Sequence, residues 1–404
     1  MLSVESYRDE VLAGVQPLQP IELPLIEALG CVLAEDVRAA WPLPSFDNSS
    51  MDGYAVRSGD VADATADEPV RLRVVDDVPA GYRASEEVGP GTAIRIMTGA
   101  PMPDGADAVI PVEMTDGGVQ VVAVHSPVTA GACIRLAGGD VMAGAVVVEA
   151  GTELTSRQIA VLAAVGQASV QVHPRPRVIV MSTGSELVEP GTPLAKGLIT
   201  DSNSFMLVTA VHEAGAIAYR VGPIMDEEEA FLAAIEDHVH RADLFITSGG
   251  VSMGAYDTVK AVLSTLGTVD FIKVAMHPGM PQGHGHVGER GVPIITLPGN
   301  PVSSYVSFEA FVRPVIRAMR GLDRLNRPLL WATCRVDFES PRGKLQYMRG
   351  RIIGHQELVV EPVGIAGSHA VAGLAQSDCL IMVPPEQDRV EAGSRVQVID
   401  LRPS

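Results

Sequence analysis

The stretch Asp243–Asp257, DLFITSGGVSMGAYD, carries the residue types that hold a phosphorylated ligand through a divalent cation. Leu244, Phe245 and Ile246 form an apolar run short enough for a buried strand. Ser248-Gly249-Gly250 follows, where missing side chains let backbone N–H groups approach an anion. Ser252, Met253 and Gly254 lead on to the Asp257 carboxylate, which suits a hard cation; a helix N-cap ahead of Val259 is the competing reading of that aspartate. Two further segments repeat the design. Pro176–Glu186 is an apolar run ending in Ser182-Thr183-Gly184 with Glu186 beyond. Pro293–Val302 ends in Pro298-Gly299-Asn300-Pro301 and opens into the apolar-periodic run Ser303–Met319.

Three such turns within one domain-sized segment need an element that brings them together, and an open parallel sheet does so because all its strand C-termini share one edge. Pro174–Gly321 alternates strand and helix patterns, which predicts a doubly wound α/β sheet covered on both faces. Asp226 follows the strand around Arg220–Ile224 and so either lies at that edge or caps the next helix. Lysine is scarce, only Lys196, Lys260, Lys273 and Lys344. Lys273, inside FIKVAM, is therefore a candidate phosphate ligand as well as a strand lysine with its head in water.

Around this segment the periodicities change. Ser3–Val15 and Leu23–Glu35 read as amphipathic helices, and Ser156–Ala164 as a third with Thr155 or Ser156 as cap. Ser45–Val56 is polar and turn-rich with two carboxylates, Asp47 and Asp52, an arrangement that also suits a plain domain-entry loop. From Tyr54 to Val141 short β-like runs are punctuated by Gly, Pro and Asp, and from Leu325 onward the pattern is β again. The expected layout is a discontinuous helical domain (1–44 plus 142–173) with a small β domain inserted (45–141), the α/β domain (174–324), and a C-terminal β-barrel domain (325–404).

Composition bounds the function. A chain of 404 residues with 47% hydrophobic content holds several cores. A formal charge of −19 argues against nucleic acid as main partner, because counterion release needs a basic face. No apolar run approaches a membrane span, and the N-terminus has neither a basic start nor an apolar signal core, so a soluble, cytoplasmic protein is expected. Cys31, Cys133, Cys334 and Cys379 are far apart and read as small buried thiols. His284 and His286 are too few ligands for a closed zinc site and read as exposed loop histidines.

The motifs DNSSMDGYAV, RIMTGAPMPDGADAVIPVE, MSTGSEL, TSGGVSMGAYD, KVAMHPGMPQG, LPGNPVS and GSHAVAGLAQSDCLIMVP occur in this order. Together they resemble the molybdopterin molybdenumtransferase family, the MoeA and gephyrin E-domain group, over nearly the whole chain. The resemblance implies insertion of molybdenum from molybdate into adenylated molybdopterin with release of AMP. It also implies Mg²⁺, and a homodimer whose cleft combines the α/β domain of one subunit with other domains of its neighbour. Contact with a molybdopterin adenylyltransferase and with molybdoenzyme maturation proteins is expected, without nucleic acid or membrane. The family's positions fall on Asp52, Thr98, Arg135, Asp140, Glu186, Asp226, Asp257, Lys273, Arg349 and Ser368. Asp226 and Asp257 would hold the metal. Backbone amides of the three glycine turns and Lys273 would hold phosphates, and Arg349 and Ser368 would donate to the oxyanion. Asp52 and Asp140 would reach across the subunit boundary.

The chain departs from the pattern at His277 and Met280, where many relatives carry lysine. His277 supplies a cation only when protonated, so the expected consequence is weaker, more pH-sensitive molybdate binding unless arginines such as Arg342 and Arg349 compensate. Two other functions fit parts of the pattern. Molybdopterin adenylyltransferases share the α/β domain, and a non-catalytic scaffold of the gephyrin E-domain type would use the dimer groove. Asp226, Asp257 and Lys273, which a scaffold does not need, favour catalysis.

Overall fold

The computed structural model describes residues 1–225, 227–250, 262–263, 269–354, 357–365 and 367–402. Helix α1 (Val4–Leu12) starts where the Ser3 hydroxyl accepts from the Ser6 amide. Its apolar stripe, Val4, Tyr7 and Val11, is buried in the core of the α/β sheet. Tyr7 there meets Phe311 edge-to-face at 4.8 Å. The helix expected over Leu23–Glu35 is absent. Ile21–Pro24 and Val32–Leu33 are strands, both paired antiparallel to Ser169–His173. Ile26 and Leu29 are 86% and 56% exposed on the turn between these strands. Pro24 cannot donate within a helix, and Gly30 takes a left-handed φ of 74°, so strand–turn–strand wins over the apparent period. Helix α2 (Ser156–Ala164) forms as expected, with a capping box between Thr155 and Gln158.

The inserted β unit is a five-stranded sheet in the order Ala108–Pro111, Gly53–Val56, Thr92–Ile96, Val70–Val78, Val121–Val124. Beyond it lies the sheet that carries the chemistry. Its strands are β1 (Arg177–Thr183), β2 (Ile217–Ile224), β3 (Leu244–Ser248), β4 (Val269–Lys273), β5 (Pro281–Val287) and β6 (Val292–Leu297), in the spatial order β2-β1-β3-β6-β5-β4. The first four in that order run parallel, while β5 is antiparallel to both its neighbours. Helices α3 (Asn203–Glu213), α4 (Glu228–Val239) and α5 (Pro301–Ser307) cover it, and α5 continues through a π-helical turn (Phe308–Val312) into α6 (Arg313–Met319). Both faces are buried: Val178, Val180, Leu244 and Ile246 lie in one core, Ile179, Met181, Phe245 and Ile294 in the other. That alternation is why β1 and β3 read as unbroken apolar runs.

The C-terminal strands close on themselves, because Leu345–Ile353 pairs with both Val359–Pro362 and Cys379–Val383. The result is the expected barrel, with Met276–His277 of the preceding segment added at its side.

Arg320, 2% exposed at the end of α6, ties the sheet to the N-terminal segment. Its guanidinium donates to the Ala214 carbonyl, and also to the Gly30 carbonyl and the Glu153 carboxylate. Arg320→Ala is expected to strand Glu153 and two carbonyls and to cost about 3 kcal/mol. A denaturant midpoint unchanged from wild type would refute that role.

Candidate active site

The register of the parallel strands sets the site. Ser182 lies opposite Ser248, and Ser248 opposite Leu297, so the turns leaving β1, β3 and β6 emerge side by side. They enclose a cavity of about 680 Å³. Ser182, Thr183, Gly184, Ser248, Gly249, Gly250, Pro298, Gly299, Asn300 and Pro301 all line it, as does Glu186. The three turns singled out in the sequence thus form one wall-to-wall rim. Lys273 ends β4 at the same edge, exposed, with Pro281 as its sheet partner, and Pro281 lines the cavity.

Two helices start at this rim. Thr200, Asp201, Ser202 and Asn203 bring the N-terminus of α3 to the cavity, and Asn300-Pro301 does the same for α5. Both present the positive ends of their dipoles to whatever occupies the space. The expected amide cradle is only partly open, however. The Gly184 and Gly249 amides donate to the Ile224 and Leu297 carbonyls, because the parallel pairing runs one residue past each strand. Thr183 is 6% exposed, and its buried Oγ1 has no hydrogen-bond partner among the described residues.

Asp201 and Asn203 went unnoticed in the sequence. The Asp201 carboxylate is buried and accepts from Ser182 Oγ (3.1 Å), the Ser204 amide (3.0 Å), Ser204 Oγ and Arg220 (3.2 Å). Asn203 Nδ2 donates to Ser248 Oγ at 2.7 Å and to the Gly299 carbonyl at 2.6 Å, joining the second turn to the third. The one available signal was the Asp-Ser-Asn cluster opening a helix, which reads first as a cap.

The C-terminal domain closes one side. Ser368 accepts at its hydroxyl from Asn300 Nδ2 (2.9 Å) and at its carbonyl from the Val302 amide (3.0 Å), and His369 and Val371 line the cavity. Arg349 departs from the expected oxyanion fork. Only 3% exposed, it donates to the carbonyls of Ala370, Ile365 (2.6 Å) and Gly367, so it holds the loop that carries Ser368. The loop's inward carbonyls need donors, and the buried guanidinium is the group that reaches them.

The remaining expected residues form a second group. Asp52 accepts from the Thr98 amide (2.7 Å) and hydroxyl (2.8 Å), bonds that hold its carboxyl below the usual range. Arg135 lies opposite Asn48 in a short strand pair, and the exposed Asp140 bonds through its amide to the Leu43 carbonyl. None of these four lines the cavity of its own chain. His277 does not line it either; its ring sits near Lys344, and packing together with that cation lowers its pKa. Asp226, Ser252 and Asp257 lie outside the described residues.

Comparison with known proteins fits this geometry. The sequence matches the MoeA N-terminal region (domain I and II) over residues 2–166, the probable molybdopterin binding domain over 179–318, and the MoeA C-terminal region (domain IV) over 332–401. The chain belongs to the MoeA family. Among its relatives in that family, molybdopterin molybdenumtransferase 2 of Mycobacterium tuberculosis is 46% identical over 407 residues, covering 99% of this chain and all of the relative. The molybdopterin molybdenumtransferase of Bacillus subtilis is 37% identical over 385 residues, 94% of this chain and 89% of that one. Two crystal structures of the Pyrococcus horikoshii MoeA protein superpose with TM-scores of 0.84 and 0.79 at 31% and 28% identity. They cover 100% and 99% of this chain and 99% and 100% of theirs. The MoeA layout thus accounts for every segment described above.

Proposed function

We propose that this chain is a molybdopterin molybdenumtransferase that inserts molybdenum from molybdate into adenylated molybdopterin and releases AMP. The observation that carries the reading is the cavity itself. Three adjacent strand ends and two helix N-termini surround a space of about 680 Å³, with Lys273 at the same sheet edge beside the lining Pro281, a fitting environment for a pyrophosphate link. Leu187, Ile199 and Pro281 give one wall an apolar surface for the pterin. Ser248 supplies a hydroxyl for the phosphates, and Lys273 at the edge adds a cation. Ser368 and the loop held by Arg349 close the far side.

The donor chemistry also suits Mg²⁺, which takes one or two carboxylates and completes its shell with water and phosphate oxygens. Glu186, exposed on the cavity wall, is such a carboxylate. The family resemblance assigns the metal to Asp226 and Asp257. When bound, the ion would screen charge developing on the pyrophosphate. Asp52 and Asp140, with Thr98 and Arg135, serve the cleft of a neighbouring subunit in a cytoplasmic homodimer. Their position away from their own chain's cavity supports that assignment.

Reconstitution separates this reading from its alternatives. Purified protein given adenylated molybdopterin and molybdate should release AMP and activate an apo-molybdoenzyme. Given ATP and molybdopterin instead, it should form no adenylate. Adenylate formation would make it an adenylyltransferase, and binding without turnover would make it a scaffold.

His277 yields a pH prediction. Its pKa is lowered from the ordinary value near 6.5, so the imidazole is neutral at pH 7–8 and the fixed charge beside it is that of Lys344. The sign follows: the stability that neutral His277 contributes is complete above the ordinary value near 6.5 and is lost as pH falls from there through the lowered folded-state value. Half-saturation by molybdate should therefore be flat from pH 7 to 8 and tighten only below about pH 6.5. Lys344→Ala should raise the His277 pKa by removing the neighbouring cation, a shift that an NMR titration of the imidazole reads. A strong pH dependence between 7 and 8 would remove this account.

A further inference from the structure

The rim has an orientational problem that one side chain solves. Phosphate oxygens accept hydrogen bonds, so a wall that binds them needs donors facing inward. Two rim amides, those of Gly184 and Gly249, are already committed to strand carbonyls. Ser248 is 2% exposed, lines the cavity, and has a hydroxyl that can turn either its proton or its lone pairs toward the ligand.

Asn203 removes the ambiguity. The Gly299 carbonyl lies 2.6 Å from Asn203 Nδ2, and a carbonyl only accepts, so the amide must present its nitrogen on that side. The same nitrogen lies 2.7 Å from Ser248 Oγ, which therefore receives a proton from Asn203 and must send its own elsewhere. Among the described residues no acceptor for that proton is found, and the cavity lies in front of it. The carboxamide oxygen, Oδ1, is buried without a partner among the described residues. The residue thus forgoes a hydrogen bond of its own to keep this orientation, which is costly unless the orientation serves the site.

We propose that Asn203 is a positioning residue: it clamps the turn after β3 to the turn after β6 and fixes the Ser248 hydroxyl as a donor to a phosphate oxygen of the adenylated pterin. The inference rests on the function proposed above and names a donor that the Gly184 and Gly249 amides do not provide.

The test is the dissociation constant for adenylated molybdopterin, measured alongside thermal unfolding, for wild type, Ser248→Ala, Asn203→Ala, Asn203→Asp and the Asn203→Ala/Ser248→Ala double variant. Loss of one charge-assisted donor corresponds to about tenfold weaker binding. Asn203→Ala and Ser248→Ala should each weaken binding by about that factor, and the double variant by no more than the weaker single, because Asn203 acts through Ser248. Asn203→Asp keeps the size and cannot donate to Gly299, so it should weaken binding at least as much while unfolding as a folded protein does. It carries the test should Asn203→Ala fail to fold. Wild-type affinity in Asn203→Asp, or fully additive losses in the double variant, would overturn the proposal. Failure of the wild type itself to bind would overturn the parent reading and this one with it, an outcome distinct from the first two.

Discussion

Gly249→Ala is expected to lower kcat/KM for molybdenum insertion by about a hundredfold, while the protein stays folded. Gly249 sits at φ +99°, where an L side chain is strained. A methyl built on it would lie 2.6 Å from the Thr183 carbonyl oxygen and 2.9 Å from Thr183 Oγ1. The hydroxyl can rotate, but the carbonyl is backbone at the end of β1 and cannot simply swing aside. The turns after β1 and β3 must separate, at a cost of about 2–3 kcal/mol. They would carry Ser248 and Thr183 away from the phosphates, and a displacement near 1 Å in a positioning element is worth about a hundredfold in rate. Steady-state kinetics and thermal unfolding check both halves. Wild-type kcat/KM in a folded Gly249→Ala protein would mean that this rim does not hold the substrate.

The rim was legible in the sequence because its signal is local. An apolar run followed by a small polar turn can be read residue by residue, and three of them in an alternating α/β segment need only the rule that parallel strands end on one edge. What escaped depends on which strands become neighbours. Asn203 matters because β3 lies between β1 and β6, so that one carboxamide spans Ser248 and Gly299. No spacing along the chain announces that. Arg349 illustrates a different limit: its type was read correctly as a fork of donors, but which carbonyls it meets depends on how the 365–370 loop folds back over the barrel strand. At Leu23–Glu35 the helical period was formally present and lost to the pairing of both flanking strands with Ser169–His173, a segment more than 130 residues away.

Asp201→Ala is expected to be the most damaging change on the described wall of the cavity, and through stability as much as chemistry. The carboxylate is 1% exposed and is the common acceptor for Ser182 Oγ, the Ser204 amide and hydroxyl, and Arg220. Arg220 in turn donates to Ser204 Oγ at 2.6 Å, bonds Glu189 at 2.7 Å, and lies 4.1 Å from the Phe205 ring centre. Removing the carboxylate leaves the Arg220 cation, among the described residues, with Glu189 as its one carboxylate partner beside Ser204 Oγ and the Phe205 ring, and leaves two donors of the α3 start unsatisfied. Breaking a buried pair typically costs 3–5 kcal/mol; because the Arg220 side chain is 23% exposed and keeps Glu189, about 3 kcal/mol is expected here. The same loss frees Ser182 and the N-terminus of α3, so residual folded protein should show kcat/KM reduced at least about tenfold. Asp201→Asn separates the two contributions. It preserves the shape and one acceptor for the Ser204 amide but turns a donor toward Arg220 or Ser182, so its stability loss should be about half that of Asp201→Ala. Equal unfolding midpoints for Asp201→Ala and wild type would show that the α3 start stands without this carboxylate, and that the cavity wall is held by its backbone alone.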